Sequence, residues 1–168
     1  MNISEIVKKI ISQLILIIFG SKKSLNKSTS VKYIEWKKGD NIQISKHFNS
    51  SEFDCKCKNE SCVNQKISID LINRLESIRE EIKQPLIITS AFRCKKHQDF
   101  LRKNGVATVV AKSTSQHELG EAADITKKQR NDIRTDFLKI VEKQFQTIGL
   151  SNSFLHVDTR KEYRRWEY

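Results

Sequence analysis

The stretch SQHELGEAADI, Ser115 to Ile125, sets a histidine and an aspartate seven residues apart, with a glycine and two alanines between them. Its last part, Ala122 to Thr126, reads as a short strand. Asp124 then lies on the strand and His117 on the turn leading into it. Gly120 lets the backbone bend there, and the small side chains of Ala122 and Ala123 admit close neighbours. On that reading His117 and Asp124 converge on one point, and the elements around the stretch decide what else reaches it.

Upstream, Leu71, Ile72, Leu75, Ile78 and Ile82 recur at three- and four-residue steps with charges between them. This predicts an amphipathic helix from Ser68, ended by Pro85. LIITSA, Leu86 to Ala91, is uncharged and rich in β-branched residues and reads as a buried strand. A short helix is expected around Lys95 to Arg102, closed by Asn104-Gly105, followed by a loop over 106–116. Residues 40–66 lack sustained periodicity and read as loop with short elements around the cysteines.

Downstream, a helix is expected from about Asn131 to Ile148, with the stripe Ile133, Phe137, Ile140, Val141, Phe145 and Ile148 and with Gly149 as its stop. FLHVDT, Phe154 to Thr159, alternates as a strand does. Leu155 and Val157 then point to the core, while Phe154, His156 and Asp158 point to the other face, where a cleft can lie. RKEYRRWEY reads as a basic tail. Helices and strands come in separate blocks without a βαβ rhythm, so the class is α+β, with a small central antiparallel sheet flanked by helices.

The chain has 168 residues, which suits one domain with a short appendage. Apolar residues make up 38%, enough for one modest core and not for two. The formal net charge of +11 favours anionic surfaces such as nucleic acid, acidic lipid or acidic cell-wall polymer. No zinc-finger, helix-turn-helix or aromatic-rich single-strand signature accompanies the charge, which argues against specific nucleic-acid binding. At the N-terminus, Lys8 and Lys9 precede an apolar run from Ile10 to Phe19. A spanning helix needs ~20 apolar residues, so the run is short for that task. Residues 1–20 therefore read as a signal, an anchor or a docking helix, with Ile6, Val7, Ile10, Ile11 and Leu14 on one face. Export, anchoring or docking on a membrane or particle follows from that reading, and so does a place at the cell envelope or outside the cell. Residues 21–39, small and polar at their start, read as a linker, and the domain is expected over 40–168.

Cys55, Cys57, Cys62 and Cys94 are the four cysteines, three of them in CKCKNESC. One or two disulfides, a four-thiolate zinc knot and free thiols are all open, although C-x-C-x4-C is not a usual zinc spacing. Disulfides would imply an oxidising compartment.

His156, leaving the core face of its strand, can supply a third donor to His117 and Asp124. Imidazole, carboxylate and imidazole form a zinc set with one position open for water, the arrangement of catalytic sites. The competing reading of each histidine is an ordinary hydrogen-bonded or surface residue.

SQHELGEAADI fits the S-x-H-x-x-G-x-A-x-D motif of the zinc peptidoglycan peptidases, and all five fixed letters match: Ser115, His117, Gly120, Ala122 and Asp124. ITSAFRC resembles the strand-end motif I-T-S-G-Y-R, with Ala91 and Phe92 in place of Gly and Tyr. FLHVDTR resembles the H-x-D strand that brings the last ligand. The resemblance runs from about Ile42 to Trp166 with three motifs in order. The family contains D-alanyl-D-alanine carboxypeptidases and L-alanyl-D-glutamate endopeptidases of phage lysins, and shares its fold with the hedgehog signalling domain. The resemblance implies Zn2+ held by His117, Asp124 and His156. It also implies that Arg93 binds a substrate carboxylate or steadies the oxyanion, tasks suited to a permanently charged fork. Ser115 is expected to fix the loop before His117.

One departure stands out. Many relatives carry an acidic base three residues before the last histidine, where this chain has Ser153. Asp158 is the first candidate to replace it, and serves equally as a partner that orients a ligand histidine; Glu118 and Glu121 follow. His97, where relatives often have a histidine after the arginine motif, is expected in a capping or surface role, with a place on the cleft wall as the alternative, and His47 receives none. The cysteines fit the resemblance too, since many relatives have Cys-x-Cys near the domain start and a Cys after the motif arginine. Pairing between those regions would tie the N-terminal loop to the site wall.

The implied activity is hydrolysis of peptide bonds in peptidoglycan stem peptides or cross-links, by a carboxypeptidase or an endopeptidase. The alternative is a non-catalytic metal-binding or structural component of a phage or injection-type particle.

Overall fold

The computed structural model describes residues 32–105, 114–127 and 134–168. The N-terminal segment 1–20 lies outside them, as do residues 106–113 of the expected loop and Ile133 of the expected helical stripe. Strand β1 (Tyr33–Lys37) pairs antiparallel with β2 (Asn64–Ser68) in a two-stranded sheet. β1 falls inside the span 21–39 expected to be a linker, so the folded domain takes in at least residues 33–37. Between the two strands the chain makes one 3₁₀ turn, Ser50–Phe53, and then the cysteine segment.

Helix α1 (Ile69–Ile82) follows β2 directly and buries the predicted stripe of Leu71, Ile72, Leu75, Ile78 and Ile82. Each such side chain contributes about 1.5–3 kcal/mol on burial. Lys83 ends the helix in the left-handed region, two residues ahead of Pro85. β3 (Ile88–Ser90), α2 (Lys95–Lys103), the one-turn helix α3 (Gln116–Leu119) and β4 (Ala122–Thr126) come next.

Helix α4 covers Arg134–Gln144 and ends before Ile148, the end that its periodicity suggested. Thr147–Leu150 is strand β5, paired in a tight hairpin with β6 (Phe154–Asp158), with Leu150 opposite Leu155. Phe145 and Ile148 prolong the helical spacing by coincidence. They are buried because one follows the helix into the core and the other sits on a strand. Gly149 is therefore a strand residue and not a helix stop. The tail is also structured: Arg164–Glu167 forms β7, parallel to β5.

The main sheet has the order β3-β4-β6-β5-β7. It is antiparallel, as expected, with one parallel pairing at its β5–β7 edge. Ala123, Ile125, Ile148, Leu155 and Val157 share one core with α1 and with Phe137, Val141 and Phe145. The opposite face carries Asp124, His156 and Asp158. Among the described residues no helix is long and apolar enough to cross a membrane.

Candidate metal centre

The sheet register draws a straight row of residues across all five strands. Ser90 pairs with Asp124, Asp124 with His156, His156 with Gly149, and Gly149 with Trp166. Directly opposed side chains lie closest in a sheet, so Asp124 and His156 meet on the face away from the core. The period of two that the sequence displayed puts Ala123, Ile125, Leu155 and Val157 on the other face, in the core.

His117 arrives from the neighbouring turn. Ser115 caps α3, its Oγ accepting from the backbone N–H of His117 at 3.3 Å, and its own backbone N–H donates to the Glu118 carboxylate at 3.2 Å. Gly120 closes the turn at φ 76°, and a Cβ there would stand 2.7 Å from the Lys66 carbonyl oxygen. The turn is thus wedged against β2, with Ser68 N–H donating to Gly120 O at 2.8 Å.

Three donor atoms converge. His117 Nε2 lies 3.1 Å from His156 Nδ1 and 3.3 Å from Asp124 Oδ1, and His156 Nδ1 lies 3.0 Å from the same oxygen. All three residues are more than nine-tenths buried. The far side of each ring is engaged. His117 Nδ1 sits 2.6 Å from Ala91 O, which can only accept, so that nitrogen carries the proton. His156 Nε2 sits 3.3 Å from Asp158 Oδ2, which accepts its proton in turn. The inward nitrogens then present lone pairs to each other and to a carboxylate oxygen. Three acceptors at this spacing repel unless a cation lies among them. Ligand atoms about 2.0–2.2 Å from a tetrahedral zinc stand about 3.3–3.6 Å apart, close to the separations found. The donor set therefore fits zinc.

Protonated imidazoles are the other means of balancing the buried carboxylate. Burial pushes the Asp124 carboxyl up, but the two imidazoles overcome it and hold the group well below the usual carboxylate range. Burial lowers His117, with Asp124 offsetting part of the effect. His156 is opposed by burial yet raised by bonds to Asp124 and Asp158. Asp158 would also be raised by its burial; His156 and Arg160 hold it down at about 2.

Arg93 and Asp158 both join the centre, at its rear. Arg93 Nη2 donates to Asp124 Oδ2 at 2.5 Å and Nε donates to Ser90 Oγ at 2.9 Å. Asp158, fully buried, accepts two bonds from Arg160 Nε and one from Nη2 at 2.7–3.1 Å. Glu118 is held by Arg102 at 3.2 Å, and Glu121 accepts from Tyr33 Oη at 2.6 Å. Ser153 is exposed. His97 Nδ1 faces Cys55 Sγ at 3.3 Å, and His47 pairs with Glu76 at 2.7 Å.

Sequence reasoning missed Arg160, Ala91 O and Trp166. Arg160 stands two residues beyond Asp158, a spacing that already placed it near the same face. The Ala91 carbonyl has no letter of its own. Trp166 lay in a stretch read as tail, yet its ring lies over Gly149, where a Cβ would come within 2.5 Å of it, and 5.4 Å from the His156 ring.

A family model described as Peptidase M15 matches residues 46–158, a span that contains every residue of the centre from Arg93 to Asp158. No curated protein matches the chain.

Proposed function

Since the chain belongs to the peptidase M15 family, we propose that it is a zinc-dependent hydrolase of peptide bonds in peptidoglycan stem peptides or cross-links. The observation that carries this reading is the meeting of His117 Nε2, Asp124 Oδ1 and His156 Nδ1 within 3.0–3.3 Å of one another. Zinc bound there supplies a Lewis acid that lowers the pKa of a water to about 7 and polarises the scissile carbonyl.

The chain's own residues prepare that site. Ala91 O and Asp158 accept hydrogen bonds from the outer imidazole N–H groups and so aim the inner lone pairs. Arg93 neutralises the second oxygen of Asp124 and leaves Oδ1 for ligation. Arg93 and Asp158 are positioning residues in this scheme, because each is already committed to a ligand residue. That assignment replaces the substrate contact implied for Arg93 and the base role weighed for Asp158. Trp166 provides an apolar wall beside His156. The chain's +11 net charge draws it to an anionic wall.

The test is mass spectrometry of purified wall peptides incubated with the wild-type chain and with His117→Ala. Shortened stem peptides or opened cross-links should arise with the wild type alone. Identical product profiles would remove the hydrolase reading, and zinc retained without turnover would leave a metal-binding component in its place.

A further inference from the structure

A second set of donors lies outside the histidine–aspartate centre. The Sγ atoms of Cys55, Cys57, Cys62 and Cys94 all fall within 4.8 Å of one another. Cys57 and Cys94 Sγ are 3.7 Å apart. A disulfide would need about 2.05 Å. Two thiolates on one tetrahedral zinc, each about 2.3 Å from it, stand about 3.8 Å apart. All four cysteines are unpaired.

N–H groups point at three of the sulfurs. Cys94 backbone N–H donates to Cys55 Sγ at 3.3 Å, Gln65 Nε2 to Cys62 Sγ at 3.5 Å, and Lys38 Nζ to Cys57 Sγ at 3.8 Å. Such donors offset part of the negative charge that sulfur carries once it binds an ion. Cys55 and Cys62 are buried, and Phe92 packs on the cluster. Four sulfurs arranged this way leave no open ligand position, which marks a structural ion and not a catalytic one.

We propose that Cys55, Cys57, Cys62 and Cys94 hold a structural zinc ion, distinct from the one held by His117, Asp124 and His156. Each thiol that binds releases its proton to solvent. The ion would clamp the segment 55–62, which has no regular structure, to the start of α2. Cys94 directly follows Arg93, so the clamp also fixes the arginine that holds Asp124. The fourth sulfur comes from 32 residues beyond the third; only the fold brings it in, which is why the C-x-C-x4-C spacing alone looked unlike a zinc motif.

The experiment uses the full chain purified without chelator, with metal content by elemental analysis and intact mass under denaturing, non-reducing conditions. His117→Ala disables the other centre and should still retain one zinc per chain. Cobalt exchanged into either wild type or His117→Ala should give intense thiolate-to-cobalt charge-transfer bands, which a histidine–carboxylate set does not produce. The wild-type spectrum keeps the test valid if the variant folds poorly. A metal-free, folded His117→Ala chain, cobalt spectra without those bands, or an intact mass short by four hydrogens would each overturn the proposal. None of these readouts depends on peptide hydrolysis, so a failure here is distinct from a failure of the proposed activity.

Discussion

His156 sits between two carboxylates, and its value as a ligand depends on which nitrogen carries the proton. Asp158 settles that choice from behind the ring. Asp158→Asn should therefore weaken zinc binding by about 10- to 100-fold while the fold persists; chelator competition measures the affinity and circular dichroism the fold. A second residue-scale prediction concerns Glu76, which accepts from both the backbone N–H and Nδ1 of His47 at 2.8 and 2.7 Å. Burial would raise its carboxyl, but the bonds from His47 help to hold it below the ordinary value. A depressed carboxylate stabilises the fold above its unfolded pKa, and the gain is lost as pH falls through the folded value. Glu76→Gln should thus cost about 1.5–3 kcal/mol at neutral pH, and the difference from wild type should narrow as the pH falls beneath the ordinary glutamate value of about 4.3. Urea denaturation across pH checks both. At this scale the letters carried the meeting of His117, Asp124 and His156, because side-chain chemistry and spacing are what a motif records. They did not carry the backbone carbonyl of Ala91, nor the clamp of Arg160 on Asp158, which depends on how the chain turns after β6.

Two glycines govern the elements around the centre. Gly120 closes the turn that delivers His117, at a φ that side chains disfavour and with no room for a Cβ. Gly120→Ala should destabilise the fold by about 1–3 kcal/mol or more, read by denaturant midpoint. Gly149 lies beneath the Trp166 ring. Gly149→Ala should cost about 1–3 kcal/mol through overpacking and drive the indole off His156, visible as a shift in tryptophan fluorescence with Trp36 unchanged. Legibility differed sharply between elements. The helix over 69–82 announced itself by a five-residue stripe and a proline beyond it. The β5 strand hid, because Phe145 and Ile148 continue the helical step and mask the change of period. The β7 strand hid under its charges, since an edge strand needs few buried side chains to be held by its ladder.

For the whole molecule, metal should act as a folding ligand. A site that binds only the native state adds about 4 kcal/mol at a thousandfold excess over Kd. Removing zinc with a chelator should therefore lower the thermal midpoint, and added zinc should restore it, as calorimetry would show. The charge of +11 makes a different prediction. Turnover of intact wall should fall toward 1 M salt, where the Debye length shrinks to about 3 Å. Cleavage of a small soluble peptide should hardly change, and parallel assays separate the two.

The row from Ser90 through Asp124, His156 and Gly149 to Trp166 makes the centre a matter of parity. Inserting or deleting one residue within β4 or β6 would turn a metal donor into a core position and a core residue into a cleft position. A change of two would keep both faces in order. Length variants in the hairpin turn or beyond the strand ends are therefore the tolerable ones, and odd-numbered changes inside either strand should erase metal binding and folding together.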